Sequence, residues 1–199
     1  MSEPGSPPLP PRRGRPRSFD PDQALRRVTE RFRTRGFAAT SLDDLSDATG
    51  LNRPSLYAAF GDKHALYLAA IASLTERIER SFDRLDAAGL AVGPLVERML
   101  IGAVDLYLTG ETGRGGCLII GTATAEAATD PDVRAALAKF IAIEDRRIEA
   151  LLAAAGSTDP AGHARIVASV LQALSIRARA GESRAAMERI ARDMAKLVG

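Results

Sequence analysis

The 199-residue sequence predicts an all-α protein, a small three-helix unit followed by a larger helical bundle, with about nine helices in all. Three observations predict it. Alternating β-branched runs are absent, while alanine and leucine recur three and four positions apart. Asp-Pro pairs (Asp20-Pro21, Asp130-Pro131, Asp159-Pro160) open three of these patterns. In such a pair the carboxylate caps free amides, and the proline has no N–H to leave unpaired. Gly36, Gly50, Gly89, Gly110, Gly156 and Gly181 stand where patterns end.

Residues 1–17 hold six of the 11 prolines and almost no apolar side chains, which predicts an extended or disordered arm. Helices are then expected near 21–35, 42–49, 53–59, 63–87, 93–109, 117–128, 131–155, 160–180 and 183–198. Three parts follow: the arm (1–17), a head (18–65) and a larger helical part (66–199). The fourth helix, with Leu66, Ala70, Leu74, Ile78, Phe82 and Leu85 along one side, is long enough to link the last two. The last two helices are amphipathic through Ile166, Val170, Leu171 and Leu174, then Met187, Ile190, Met194 and Leu197.

Net charge is only +2, but it is uneven. The arm carries Arg12, Arg13, Arg15 and Arg17 against Glu3, and Arg26, Arg27, Arg31, Arg33 and Arg35 face only Glu30. A polyanion could use that charge; solvated faces are the alternative. No apolar run reaches the roughly 18 residues of a membrane span, and no signal peptide is evident, so a cytoplasmic location without membrane association is expected. A single Cys117 excludes an internal disulfide and a cysteine zinc site. His64 and His163 have no recognisable nucleophile–base companions, so neither an enzyme nor a bound metal or cofactor is expected.

Residues 40–63, "TSLDDLSDATGLNRPSLYAAFGDK", form two short apolar patterns around Gly50. Leu42, Leu45 and Ala48 face inward from the first, and Leu51, Leu56 and Phe60 from the second. A short glycine-containing turn between two helices is the helix-turn-helix arrangement, whose second helix enters the DNA major groove N-terminus first. That places Arg53, Pro54 and Ser55 at the entering end. Arg53 can donate two hydrogen bonds to guanine or bind a phosphate; Pro54 can touch a thymine methyl, and Ser55 can reach a base edge. Tyr57, Thr40, Ser41 and Lys63 suit phosphates, although Tyr57 could instead be half-buried and Ser41 merely a cap.

"RFRTRGFAATSLDDLSDATGLNRPSLYAAFGDKHALYLAAI" strongly resembles the DNA-binding region of TetR/AcrR-type transcriptional regulators. The resemblance rests on Gly36-Phe37, Thr40-Ser41, Leu42 to Leu45, Thr49-Gly50, Ser55-Leu56-Tyr57, Phe60-Gly61, Lys63 and Leu66, and covers about residues 20–70. His64 departs from it, and so does Ala58-Ala59, so no base preference is carried over. The resemblance implies a homodimer on a palindromic DNA operator, repression as the commoner outcome, and an effector pocket for a small molecule among helices four to seven. It also implies that helices eight and nine pair with their copies, through Ile166, Val170, Leu174, Met187, Ile190 and Met194. Mid-helix Met99, Ala103, Tyr107, Ile120, Thr124, Phe140 and Glu144 could line the pocket, or could be plain core.

Two features stand apart. Arg13-Gly14-Arg15-Pro16 is similar to the core of an AT-hook and could enter a narrow minor groove, or serve as a phosphate-binding arm. Cys117, grouped with the pocket candidates, is either core or a sensor thiol activated by a helix N-terminus, after a glycine run read as a flexible connection. A helical adaptor that binds protein and no DNA is the remaining alternative.

Overall fold

A computed structural model describes residues 19–110 and 113–199. Within them the chain is helical with no strand: α1 (Pro21–Arg35), α2 (Leu42–Thr49), α3 (Arg53–Phe60), α4 (Lys63–Asp86), α5 (Val92–Tyr107), α6 (Thr124–Glu126), α7 (Pro131–Ala154), α8 (Pro160–Ala180) and α9 (Arg184–Val198). The caps sit where the sequence puts them. Asp20, Asp130 and Asp159 each accept backbone amides ahead of a proline, and Ser41 and Asp44 form a reciprocal capping box. Gly50 closes α2 with φ 71°, a left-handed conformation that favours glycine.

Val28 and Phe32 of α1, Leu45 of α2, Leu56 of α3 and Leu66 and Tyr67 of α4 are buried together as the core of the head. Helix α4 continues unbroken across position 65 into the rest of the molecule, where α7 packs on it, α8 packs on α7, and α5 lies against α8 and α9. One continuous core results.

Polar bonds tie the head to the body. The buried Arg33 guanidinium donates to the Leu106, Thr109 and Gly116 carbonyls at 3.3, 2.8 and 3.1 Å, and clasps Glu30 with two bonds of 2.8 Å. His64 Nε2 lies 2.7 Å from Asp130 Oδ2, and Tyr67 Oη lies 2.7 Å from Thr122 Oγ1.

Three expectations are corrected here. Arg33 is no solvated cation awaiting a polyanion, because every direction of its fork is spent inside the fold. The glycine run is no loose connection either: Gly115 and Gly116 are buried, a Cβ at Gly115 would overlap the Arg33 guanidinium, and one at Gly116 would lie 2.8 Å from the Ser175 carbonyl. The single helix expected at 117–128 is a π-helical turn at Ile119–Ala123 leading into α6. Thr122 donates to the Leu118 carbonyl at 2.8 Å and takes the Tyr67 hydroxyl, and such side-chain insertion breaks the regular ladder.

At the C-terminus, Leu174, Met187 and Met194 are buried in the protomer's own core, which corrects their assignment to a surface for a second copy. Ile166, Ile176 and Leu197 are exposed, and Val170 and Ile190 partly so.

Candidate nucleic-acid interface and ligand cavity

Helix α3 begins with a capped first turn. Asn52 Oδ1 accepts from the Ser55 N–H at 2.9 Å, and Pro54 sits in the first turn, where no N–H is missed. Buried Leu56 anchors the helix from beneath, and the Phe60 ring stands 6.4 Å from that of Phe19. Asn52, Arg53, Pro54, Tyr57 and Ala58 are exposed and Ser55 is partly so, which leaves the tip of α3 open to a partner.

Arg53 is nonetheless engaged. Its Nε and Nη2 donate to Asp43 Oδ1 and Oδ2 at 2.9 and 2.6 Å, and this hydrogen-bonded carboxylate pushes the guanidinium pKa further up. The same two-pronged geometry matches the O6 and N7 edge of guanine. Asp43 holds the fork spread and half-exposed at the surface. Residues 18–64 carry seven basic and seven acidic side chains, so the head itself is neutral and an excess of positive charge lies in the arm.

The other expected DNA contacts are placed unevenly. Tyr57 is 45% exposed. Ser41 is exposed, with its hydroxyl 2.7 Å from Asp44 Oδ2 and accepting the Asp44 N–H, as a cap does. The Ser41 amide bond to Asp44, more than any other contact, holds that carboxyl below its usual range. Lys63 Nζ rests 4.4 Å from the centre of the Phe37 ring at the start of α4. Thr40 requires a correction: its side chain is buried and its hydroxyl donates to the Gly36 carbonyl at 2.6 Å, leaving nothing to offer a phosphate. Arg13 and Arg15 lie outside the described residues.

A second feature lies behind the head. Helices α4, α5, α7 and α8 border a partly open cavity of about 570 Å³. Met99, Ala103, Tyr107, Phe140 and Glu144 line it as the sequence suggested, joined by Leu74, Ile78 and Phe82 of α4, which read only as a core stripe. Cys117, Ile120 and Thr124 are not in its lining. Glu144 is 5% exposed, its Oε2 has no hydrogen-bond partner, and burial pushes its carboxyl up to about 7 against the pull of a Gln172 hydrogen bond.

Cys117 is buried, its N–H donates to Ser175 Oγ at 2.8 Å, and burial raises its thiol to about 11. The amides of Ile120 and Ile119 pull the other way, as a helix start should, but less strongly. Core packing is the reading this environment favours. His64, Asp130 and Asp132 hold possible metal-ligand atoms within 4.8 Å of one another. Asp130 spends Oδ1 on the amides of Asp132 and Val133 and Oδ2 on His64, so the group is already accounted for as a helix cap and an interhelical bond. No described helix is long and apolar enough to cross a membrane.

Comparison with known proteins supplies the context for this geometry. Residues 28–70 match the family model for bacterial regulatory proteins, tetR family. The HTH-type transcriptional repressor ComR of Escherichia coli (strain K12) is 32% identical over 181 residues, covering 86% of this chain and 85% of that protein. The HTH-type transcriptional repressor BdcR of the same strain is 48% identical over 54 residues, 27% of each chain. Among solved structures, a cysteine mutant of the TetR family transcriptional regulator CifR, complexed with 26-base-pair double-strand operator DNA, superposes with a TM-score of 0.75 at 28% identity, covering 92% of this chain and 98% of that one.

Proposed function

The chain belongs to the tetR family of bacterial regulatory proteins and is a DNA-binding transcriptional regulator; on that premise we propose that it is a homodimeric repressor, released from a palindromic operator by a small molecule in the α4–α5–α7–α8 cavity. The open tip of α3 carries this reading. Arg53, Pro54 and Ser55 would meet base edges, Tyr57 and Lys63 would fix register on phosphates, and the Arg13 and Arg15 arm would supply the salt-dependent part of the affinity. The proposal divides the chain into that arm (1–17), a DNA-binding head (18–65) and an effector and dimerisation body (66–199). Its setting is the cytoplasm, and its chemistry is binding, with no reaction catalysed.

The partner copy is assigned to the outer faces of α8 and α9. Ile166 and Ile176 of α8 and Leu197 of α9 are exposed, while Val170 and Ile190 pack in part against the protomer's own core and reach the surface beside them. A self-complementary surface of this kind closes a two-fold dimer and presents two copies of α3 to successive turns of the duplex, about 34–36 Å apart.

Helix α4 connects the two sites. It begins at Lys63 in the head and lines the cavity with Leu74, Ile78 and Phe82 some three to five turns later. A ligand that prefers the α4 position of the DNA-free state weakens operator binding by the same factor by which operator weakens ligand binding. Fluorescence anisotropy with operator from the protein's own promoter tests the DNA half. Arg53→Ala should cost about 1–3 kcal/mol and relax specificity at one position in each half-site. Equal weakening on every sequence would move Arg53 to a phosphate, and unchanged binding would sink the α3 assignment.

A further inference from the structure

Resting on the effector reading above, we propose that the cavity selects a cationic amphiphile: a molecule with an apolar body and one protonated nitrogen, whose N–H groups donate to Glu144. The cavity is largely apolar, with Leu74, Phe82, Met99, Phe140 and Leu171 in its wall. Within it Glu144 is 95% buried, one oxygen holds Gln172, and the other has no partner among the described residues. A buried acceptor left open is costly, and it is satisfied best by a donor that brings positive charge. Phe82, Tyr107 and Phe140 bring three aromatic rings to the same wall, a residue class that attracts cations. A volume of about 570 Å³ suits a drug-sized molecule.

Among the described residues no cation bonds to Glu144; Arg147, one turn further along α7, is turned to Asp83 of α4. Tyr107 on α5, Cys117 ahead of the π-turn and Asp145 on α7 are acidic or neutral, and Gln172 on α8 does not titrate. Arg77, Arg84 and Arg98 do line the cavity, but all three are exposed at its rim, where water and salt screen them. The rival they allow is an apolar carboxylate with its head at the rim. Burial already biases Glu144 toward the protonated form, so a bound ammonium must displace that proton to solvent and leave an ion pair. Amine affinity should therefore rise between about pH 6 and pH 8, as the ionised form takes over.

Calorimetry on the full chain with 4-phenylbutylamine, 4-phenylbutan-1-ol and 4-phenylbutanoate decides between them, with release of fluorescent operator measured in parallel. The amine should bind at least about tenfold more tightly than the alcohol, with proton release detected as a buffer-dependent heat. Glu144→Gln should abolish that preference, and the unsubstituted protein alone settles the ranking if the variant does not fold. Alcohol or carboxylate binding as tightly as the amine, or no amine binding at millimolar concentration, overturns the proposal. Glu144-dependent amine binding that leaves the operator bound would refute the effector reading and keep the ligand class. Operator release driven best by the alcohol or the carboxylate would do the reverse.

Discussion

Arg33→Ala should be among the most damaging single substitutions outside the apolar core. Arg33, 6% exposed, makes five hydrogen bonds through its guanidinium, two to Glu30 on its own helix and three that join α1 to the end of α5 and to the strap before the π-turn. Alanine would leave the buried Gly116 carbonyl and the part-buried Leu106 carbonyl without their donor, and would take the cation from Glu30, itself a third exposed. Breaking a fully buried ion pair by removing one partner costs about 3–5 kcal/mol. With Glu30 a third exposed the lower end, about 3 kcal/mol, applies, still a large share of the roughly 5–15 kcal/mol that holds a domain folded. For a chain of this size that corresponds to a fall in Tm of roughly 10 °C, read by circular dichroism at a fixed protein concentration. The strap gives a second handle. A methyl at Gly115 overlaps the guanidinium, so Gly115→Ala should also destabilise, but in the Arg33→Ala background its cost should largely vanish. A loss below about 0.5 kcal/mol for Arg33→Ala, or strictly additive effects in the double variant, would refute the latch.

Two further outcomes follow from side chains whose surroundings are equally specific. Because burial raises Glu144 from 4.5 to about 7, the folded state holds a proton that the unfolded state has released. Its favourable contribution is complete below about pH 4.5 and is lost as pH climbs toward 7, by about 3 kcal/mol in all, and urea titrations of Glu144→Gln should show that part of the decline removed. Ile176→Glu, at a position 60% exposed, should give a folded monomer in sedimentation velocity, whereas Leu174→Glu, fully buried, should fail to fold; a stable Ile176→Glu dimer would move the proposed interface elsewhere.

Local chemistry made much of the fold legible. Caps such as Asp20, Asn52 and Asp62 act within three residues, and their hydrogen bonds lie where the sequence places them. The α3 tip was legible for the same reason: Gly50, Asn52 and Pro54 fix its geometry from nearby, and buried Leu56 seats it. What sequence missed depends on partners far along the chain. Arg33 reads as one more arginine in a basic run until Leu106 and Gly116, 73 and 83 positions away, turn their carbonyls toward it. The same holds for α8. Its apolar residues occupy two sides, one against the protomer's own core and one outward, and helical periodicity does not say which is which; Leu174 and Ile176, two positions apart, fall on opposite ones. The lining from α4 was hidden because Leu74 and Phe82 are equally consistent with solid core, and only the arrangement of α5 and α7 leaves space beside them.

The central claim is that the N-terminal half of α3 lies in the major groove, once in each half of a symmetric site. Ala58 is exposed one turn beyond Pro54, while the native Cys117 is buried, so Ala58→Cys can carry an iron chelate selectively. Cleavage of operator DNA by that conjugate should fall in two clusters, symmetric about the centre and separated by about one helical turn or a multiple of it. A single cluster, or cleavage spread evenly along the duplex, would contradict the account.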